Sequence, residues 1–401
     1  MTTAHLRPAW AEVDLGRLQA NVERLRRLVA PAALCAVVKA DGYGHGAVPV
    51  ARAALAGGAV WLAVALVEEG VELRQAGIDA PVLVLSQPPL SAWGAVVEHH
   101  LTPTVDTIEG ATALADRLAQ HGPGAGGATG GPGTSGTGSP DASGDGRGWP
   151  VHVKVDTGMH RVGAAPEQVA AVAAAVMGRK ELRFEGLWSH LAVSETDDRF
   201  NQAQLELLAK VRAALAAAGL EPEMVHAANS GGGLLHPDAR LDMVRCGISI
   251  YGYPPAPGVA GDLGLEPVMT LAAGVSHVQR LPAGERISYG RRYVLTADAN
   301  VATVPLGYAD GVPRRLSSTG AEVLIGGRRR PVAGTITMDQ LMVDCGDHPV
   351  QVGDEVVLIG RQGDEVITAE EWAERLGTIS YEILCGVGPR VRRRYVNDPA
   401  A

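Results

Sequence analysis

The sequence predicts an α/β protein: a closed (β/α)8, TIM-like barrel followed by a mainly β C-terminal domain. Three observations carry this. Before Pro254, short apolar runs alternate with segments of helical spacing, the pattern of a parallel sheet covered by helices. The unusual polar residues of that region, Lys39, Arg161, His190, Asn229, Ser230 and Arg245, fall at or just past the ends of different runs, where barrel enzymes build their sites. Past Pro254 the helical spacing fades and β-rich segments punctuated by Gly326-Gly327 and Gly353-Asp354 take over. A doubly wound open sheet also fits the alternation; the placement of the polar residues favours the barrel.

In order, Asp14 can cap a helix over Leu15–Val29, in which Leu18, Val22, Leu25 and Val29 recur at helical spacing. Strands are expected at Leu34–Lys39, Trp61–Ala65, Pro81–Ser86, Leu101–Val105, Val151–Asp156, Leu182–His190, Met224–Asn229 and Asp242–Tyr251. The helices between them are expected at His45–Ala56, Val67–Ala76, Leu90–Glu98, Ile108–Gln120, Pro166–Met177, Arg199–Ala218 and, as a short piece, Gly231–His236. The first domain is read as 12–262, with a Gly-rich insertion at 121–148 that has almost nothing apolar to bury. In a barrel that connection lies on the face opposite the site. The second domain is read as 263–397, with strands at Val268–Leu281, Arg286–Val294, Val301–Leu306, Glu322–Ile325, Pro331–Ile336, Gln340–Asp344 and Glu355–Ile359, and a helix near Ala369–Leu376.

Composition narrows the function. The chain has 401 residues and a formal net charge of -9, which disfavours nonspecific binding to nucleic acid. The basic clusters Arg328–Arg330 and Arg390–Arg394 then read as a hairpin tip and an edge strand guarded by charge. The four cysteines, Cys35, Cys246, Cys345 and Cys385, follow no metal-binding or disulfide spacing, so no metal is expected and a reducing, cytoplasmic setting is. Met1–Trp10 lacks the pattern of a signal peptide, and no apolar run is long enough to span a membrane.

The chemistry centres on Ala36–Ala47. Lys39 ends an apolar run and a glycine-dense turn follows. A lysine held half-buried loses solvation of its charged form, so its pKa falls and it becomes a nucleophile, a Schiff-base former or a proton carrier. The plain alternative is a surface lysine after a strand. Arg161, in Lys154–Gly163, carries a planar fork of five donors, and the plain alternative to a site role is a salt bridge with Asp156. Ser230, followed by Gly231-Gly232-Gly233, can cradle a phosphate or serve as an ordinary helix cap.

Val38-Lys39-Ala40-Asp41-Gly42-Tyr43-Gly44-His45-Gly46 resembles the cofactor-lysine motif of the alanine racemases, enzymes that use pyridoxal 5'-phosphate. The match continues through Lys154-Val155-Asp156-Thr157-Gly158-Met159-His160-Arg161, Trp188-Ser189-His190, Asn229-Ser230-Gly231, Arg245-Cys246-Gly247-Ile248, Ile287-Ser288-Tyr289-Gly290, Gly307-Tyr308-Ala309-Asp310 and Thr337-Met338-Asp339 to Ser380-Tyr381. The resemblance implies that Lys39 bonds to the cofactor aldehyde and that Tyr289 is the second catalytic base. It gives the cofactor Tyr43, His190, Asn229, Ser230, Arg245, Gly247, Ile248 and Tyr381, and gives the substrate Arg161, Tyr308 and Met338. The residue matching Lys154 is carbamylated in some members. The resemblance also implies a homodimer in which Tyr289, Tyr308 and Met338 reach the partner's barrel, residues 1–11 packing on the β domain, and D-alanine as a product for peptidoglycan. A serine or broad-specificity racemase of the same fold is the alternative. A decarboxylase of this fold would lack the motifs around Tyr289 and Met338, and a single-barrel cofactor carrier would leave the β domain unexplained.

Overall fold

A computed structural model describes residues 6–121, 148–256, 258–259 and 263–398. Strand β1 (Ala9–Asp14) leads directly into the helix Leu15–Val29. Asp14 caps that helix: its carboxylate accepts from the backbone N–H of Arg17 at 3.0 Å, satisfying one of the free donors at a helix start. The helix buries Leu18, Val22, Leu25 and Val29, the stripe its spacing predicts.

Eight parallel strands follow: β2 (Ala33–Val37), β3 (Trp61–Val64), β4 (Val82–Val84), β5 (Thr102–Val105), β6 (Trp149–Lys154), β7 (Leu182–Trp188), β8 (Met224–His226) and β9 (Met243–Cys246). They pair in the order β8-β7-β6-β5-β4-β3-β2-β9. Between β8 and β9 the regular ladder gives way to single bonds, Asp242 N–H to the Val225 carbonyl at 3.1 Å and Arg245 N–H to the Ala228 carbonyl at 3.0 Å. The result is a nearly closed barrel. Strands β3 to β6 are buried at every position, as strands covered on both faces must be. The expected strand Asp242–Tyr251 is shorter: the backbone leaves the sheet at Gly247, and Ile248–Tyr251 winds into a 3-10 turn.

The interior of the Gly-rich insertion, 122–147, lies outside the described residues. Its flanks are the end of the helix Ile108–His121 and Gly148, directly before β6, so the connection joins the amino end of a barrel strand.

β1 belongs to a second sheet. It pairs antiparallel with β10 (Met269–Gly274) and in parallel with the C-terminal strand Arg392–Val396. The sheet continues through Glu355–Gln362 and Glu322–Ile325 to Arg328–Pro331. Both arginine-rich segments therefore stand on edge strands, where charge discourages pairing with another chain.

Several β segments divide more finely than their sequence suggests. The run Val268–Leu281 is two strands, because the chain leaves the large sheet after Gly274 and His277–Leu281 pairs with Ala299–Val304 in a three-stranded sheet with Leu341–Asp344. Arg286–Val294 is a short hairpin of Arg286–Ile287 and Tyr293–Val294, with Tyr289–Arg291 in its loop. Pairing in the run Pro331–Ile336 reduces to the strand end at Pro331 and one bridge at Val332. The helix Ala369–Leu376 forms as expected, capped by Thr368; the helix Ser380–Cys385 follows it unannounced. One apolar cluster is continuous from the barrel into the large sheet, and a small separate one of Ile287, Leu295, Ala299, Val301 and Ala333 supports the segment bearing Tyr289. Among the described residues no helix is long and apolar enough to cross a membrane.

Candidate active site

Lys39 follows β2 at the carboxyl end of the barrel. The turn after it is not ordinary helix. Ala40, Asp41, Gly42 and Tyr43 all have φ between 52° and 59°, the left-handed region that L side chains avoid. Asp41 and His45 serve this turn. The Asp41 carboxylate accepts from the N–H of Ala47 at 2.9 Å, and the His45 ring contacts the carbonyls of Gly42 and Tyr43 at 3.0 and 2.9 Å through Nδ1. Burial pushes His45 down to about 4, so it is neutral and donates from Nδ1.

The turn opens onto a cavity of about 540 Å³ at the strand ends. Ten of the residues marked in the sequence line it: Lys39, Tyr43, Arg161, His190, Asn229, Ser230, Arg245, Gly247, Ile248 and Tyr381. Among the described residues its lining holds the basic side chains Lys39, Lys154, Arg161 and Arg245 and no carboxylate, so it suits an anionic ligand. Burial, then the neighbouring Arg161, lowers the pKa of Lys39. Burial, with Arg245 and Arg161 beside it, brings Lys154 down to about 7. Arg161 is exposed at the cavity mouth; Asp156 instead engages His160 at 3.1 Å, so the alternative Asp156–Arg161 pair does not form.

At one end of the cavity the Ser230 hydroxyl accepts from the N–H of Gly247 at 3.0 Å, leaving its own proton to donate. A Cβ on Gly247 would strike the Tyr43 hydroxyl, so glycine lets backbone and phenol approach the same point. Tyr43 lies 6.1 Å from Tyr381, ring to ring. Asn229, not Ser230, caps the following helix: its carboxamide oxygen accepts from Gly232 N–H and from Ser194 Oγ, both at 2.9 Å.

Arg245 anchors the floor. Its guanidinium donates to Nδ1 of His226 at 2.6 Å, to the Ser189 and Ala227 carbonyls at 2.9 and 3.0 Å, and to Nδ1 of His190 at 3.3 Å. Burial lowers its pKa to about 10, still a cation at neutral pH. Burial and the cations around it, Arg245 first, hold His190 well below its ordinary pKa and hence neutral.

Tyr289, Tyr308 and Met338 stand apart from the cavity on the β domain, 73%, 41% and 52% exposed. They are tied to one another's segments: Tyr308 N–H donates to the Thr337 carbonyl at 3.0 Å, Ala309 N–H to the Met338 carbonyl at 3.0 Å, and the Thr335 hydroxyl to the Tyr289 carbonyl at 2.9 Å. Ser288 has φ 64°, a strained conformation in the turn that carries Tyr289.

The wall also includes Trp188 and Cys385, to which the sequence reading gave no role. Trp188 lies under Lys154 at 4.0 Å and Arg245 at 4.6 Å; it stands two positions before His190, so strand alternation could have found it. Cys385 stands four residues after Tyr381 on one short helix, a spacing that also shares a face.

The chain belongs to the alanine racemase family. The family models described as "Alanine racemase, N-terminal domain" and "Alanine racemase, C-terminal domain" match residues 13–255 and 268–395. The chain is 47% identical to the alanine racemase of Symbiobacterium thermophilum, over 98% of this chain and 99% of that one. Among solved structures it is similar to alanine racemase from E. faecalis (TM-score 0.86, 36% identity, 99% and 100% of the two chains). It is also similar to alanine racemase from Bacillus anthracis with bound L-Ala-P (TM-score 0.85, 34% identity, 99% and 97%).

Proposed function

We propose that this protein is an alanine racemase that interconverts L- and D-alanine with pyridoxal 5'-phosphate in the barrel cavity. The observation that carries the reading is the cavity itself: a desolvated lysine, Lys39, in a pocket whose described lining adds Lys154, Arg161 and Arg245 and holds no carboxylate. Its residues fit the cofactor. Ser230, Tyr43 and Tyr381 offer hydroxyl donors for a phosphate at one end, Gly247 turns the Ser230 hydroxyl by donating its N–H to it, Lys39 offers an amine for the aldehyde, and Arg245 offers a donor for a ring nitrogen. When bound, the cofactor supplies an electron-withdrawing ring that acidifies the Cα–H of the amino acid joined to its aldehyde.

The chain's own groups then divide the work. Lys39 holds or releases the proton at Cα on the side that serves D-alanine. Tyr289 of a second copy does so on the side that serves L-alanine. Arg161, with Met338 and Tyr308 of that second copy, binds the carboxylate and bounds the space for a methyl group. Arg245 donates a hydrogen bond but does not hand over its proton, so electron withdrawal stays modest and the proton returns to Cα. Tyr289, Tyr308 and Met338 are exposed together on the β domain, which supports a homodimer with two composite sites. The D-alanine would feed peptidoglycan synthesis, and the unpaired cysteines Cys35, Cys246, Cys345 and Cys385 favour a cytoplasmic setting.

The test is D-alanine formation from L-alanine by the purified, cofactor-loaded protein, with L-serine and L-lysine alongside. Rapid conversion of alanine alone is expected. Turnover of serine or lysine without alanine would keep the cofactor and move the function to another racemase.

A further inference from the structure

We propose that Glu69 and Arg393 are positioning residues that clamp the two ends of the turn carrying Lys39 and so hold its amine at the cavity. The inference rests on reading Lys39 as the cofactor lysine. Non-glycine residues avoid the left-handed conformation because Cβ crowds the following carbonyl oxygen, yet Ala40, Asp41 and Tyr43 all adopt it. Such a run persists only where its surroundings fix it.

Glu69 fixes the first end. One carboxylate oxygen accepts from Ala40 N–H at 2.6 Å, and the other accepts from Ala65 N–H at 2.8 Å and Leu66 N–H at 3.1 Å. The residue next to Lys39 is thereby tied to the exit of β3. Arg393 fixes the second end from the C-terminal strand. Its Nε and Nη2 both donate to the Gly44 carbonyl, at 2.9 and 2.7 Å, while Nη1 donates to the Gly388 and Val391 carbonyls at 2.6 and 2.7 Å. The guanidinium is spent on backbone carbonyls, which identifies a structural fork and not a surface charge.

There is no slack between these anchors. Gly44 (φ +79°) lies so close to the Leu384 carbonyl, and Gly46 (φ +100°) to the Tyr395 hydroxyl, that a Cβ on either would collide. The helix bearing Leu384 also bears Tyr381 and Cys385, which line the cavity. The position of Lys39 is therefore set jointly by the barrel and by the last residues of the chain.

The test uses full-length, pyridoxal-phosphate-loaded Arg393→Ala and Glu69→Gln. The amides of Gly44 and Gly46 are bonded within the turn, to the Ala40 and Asp41 carbonyls at 3.0 and 2.8 Å. Their hydrogen exchange should quicken about tenfold or more, the effect of losing a charge-assisted bond, while that of the helix Ala369–Leu376 stays unchanged. The pH midpoint of the bound cofactor's absorbance should shift, kcat for alanine should fall with KM little changed, and Arg393→Lys should recover part of each. Turn exchange at the unmodified rate, or exchange quickened throughout the chain, would overturn the clamp. Should Arg393→Ala fail to fold, Glu69→Gln carries the same comparison. If borohydride fails to trap the cofactor on Lys39 of the unmodified protein, the underlying reading fails, and the exchange result still decides whether the turn is clamped.

Discussion

Arg245 donates to Nδ1 of His226 across 2.6 Å, and that one bond orients a relay through the barrel interior. Arginine only donates, so Nδ1 of His226 accepts and its Nε2 carries the proton. That proton points to Nδ1 of His152 at 2.9 Å, whose Nε2 in turn donates to Glu185 at 3.1 Å. His226→Leu leaves one buried N–H of the Arg245 guanidinium and Nδ1 of buried His152 without that partner, while Glu185 still holds Nε2 of His152. It should lower stability by about 2–4 kcal/mol, read as a reduced urea midpoint.

Lys39→Ala should abolish borohydride trapping of pyridoxal phosphate at residue 39, together with racemisation. Peptide mass spectrometry after reduction checks it, and trapping of the cofactor at another lysine would remove Lys39 from its role.

Tyr289→Phe should slow exchange of the L-alanine Cα proton far more than that of D-alanine; equal slowing would argue against two bases. Neither Tyr289→Phe nor Lys39→Ala should be active alone. If sites are shared between copies, a randomly reassembled mixture should regain about a quarter of full activity, since half the dimers are hybrids and one of their two sites is intact. An inactive mixture would mean that each chain supplies its own tyrosine.

Lys154 gives a pH signature. Its pKa falls from the ordinary lysine value to about 7 on folding, through burial first and the adjacent arginines second. A depressed lysine pKa means that the unfolded chain binds more protons between these limits, so stability should rise with pH across that window. The destabilisation is full at and below pH 7 and gone above the unfolded value. Lys154→Met should therefore be more stable than the unmodified chain at pH 6–7, with the difference shrinking toward pH 10. Urea midpoints at several pH values check it; a pH-independent difference would refute it.

The eight barrel strands were legible because each is a short apolar run bounded by turn residues, a purely local signal. The β domain was less so. In Val268–Leu281 a single glycine, Gly274, marks the point where the backbone passes from one sheet to another, a weak signal because both halves carry strand-like residues. The helix Ser380–Cys385 is too short for its periodicity to register. At the candidate site, the sequence marked Lys39 and its glycines but not the left-handed run, since Ala40 and Tyr43 disfavour that conformation, Asp41 adopts it only occasionally, and tertiary contacts hold it. Trp188 and Cys385 became visible only when the cavity wall was assembled.

The arrangement of β1 bears on how the chain is made. It precedes every barrel strand, yet both neighbours lie far downstream: β10 begins at Met269 and the strand on its other side at Arg392. Asn397 even reaches back to the Asp14 carboxylate at 2.9 Å. Throughout translation of the barrel this segment has an open edge, the kind that invites pairing with a wrong chain, and such distant partners make sheet closure slow. The strand Arg392–Val396 thus completes a sheet that β1 began, and a translation product cut short before Arg392 would carry the unsealed edge.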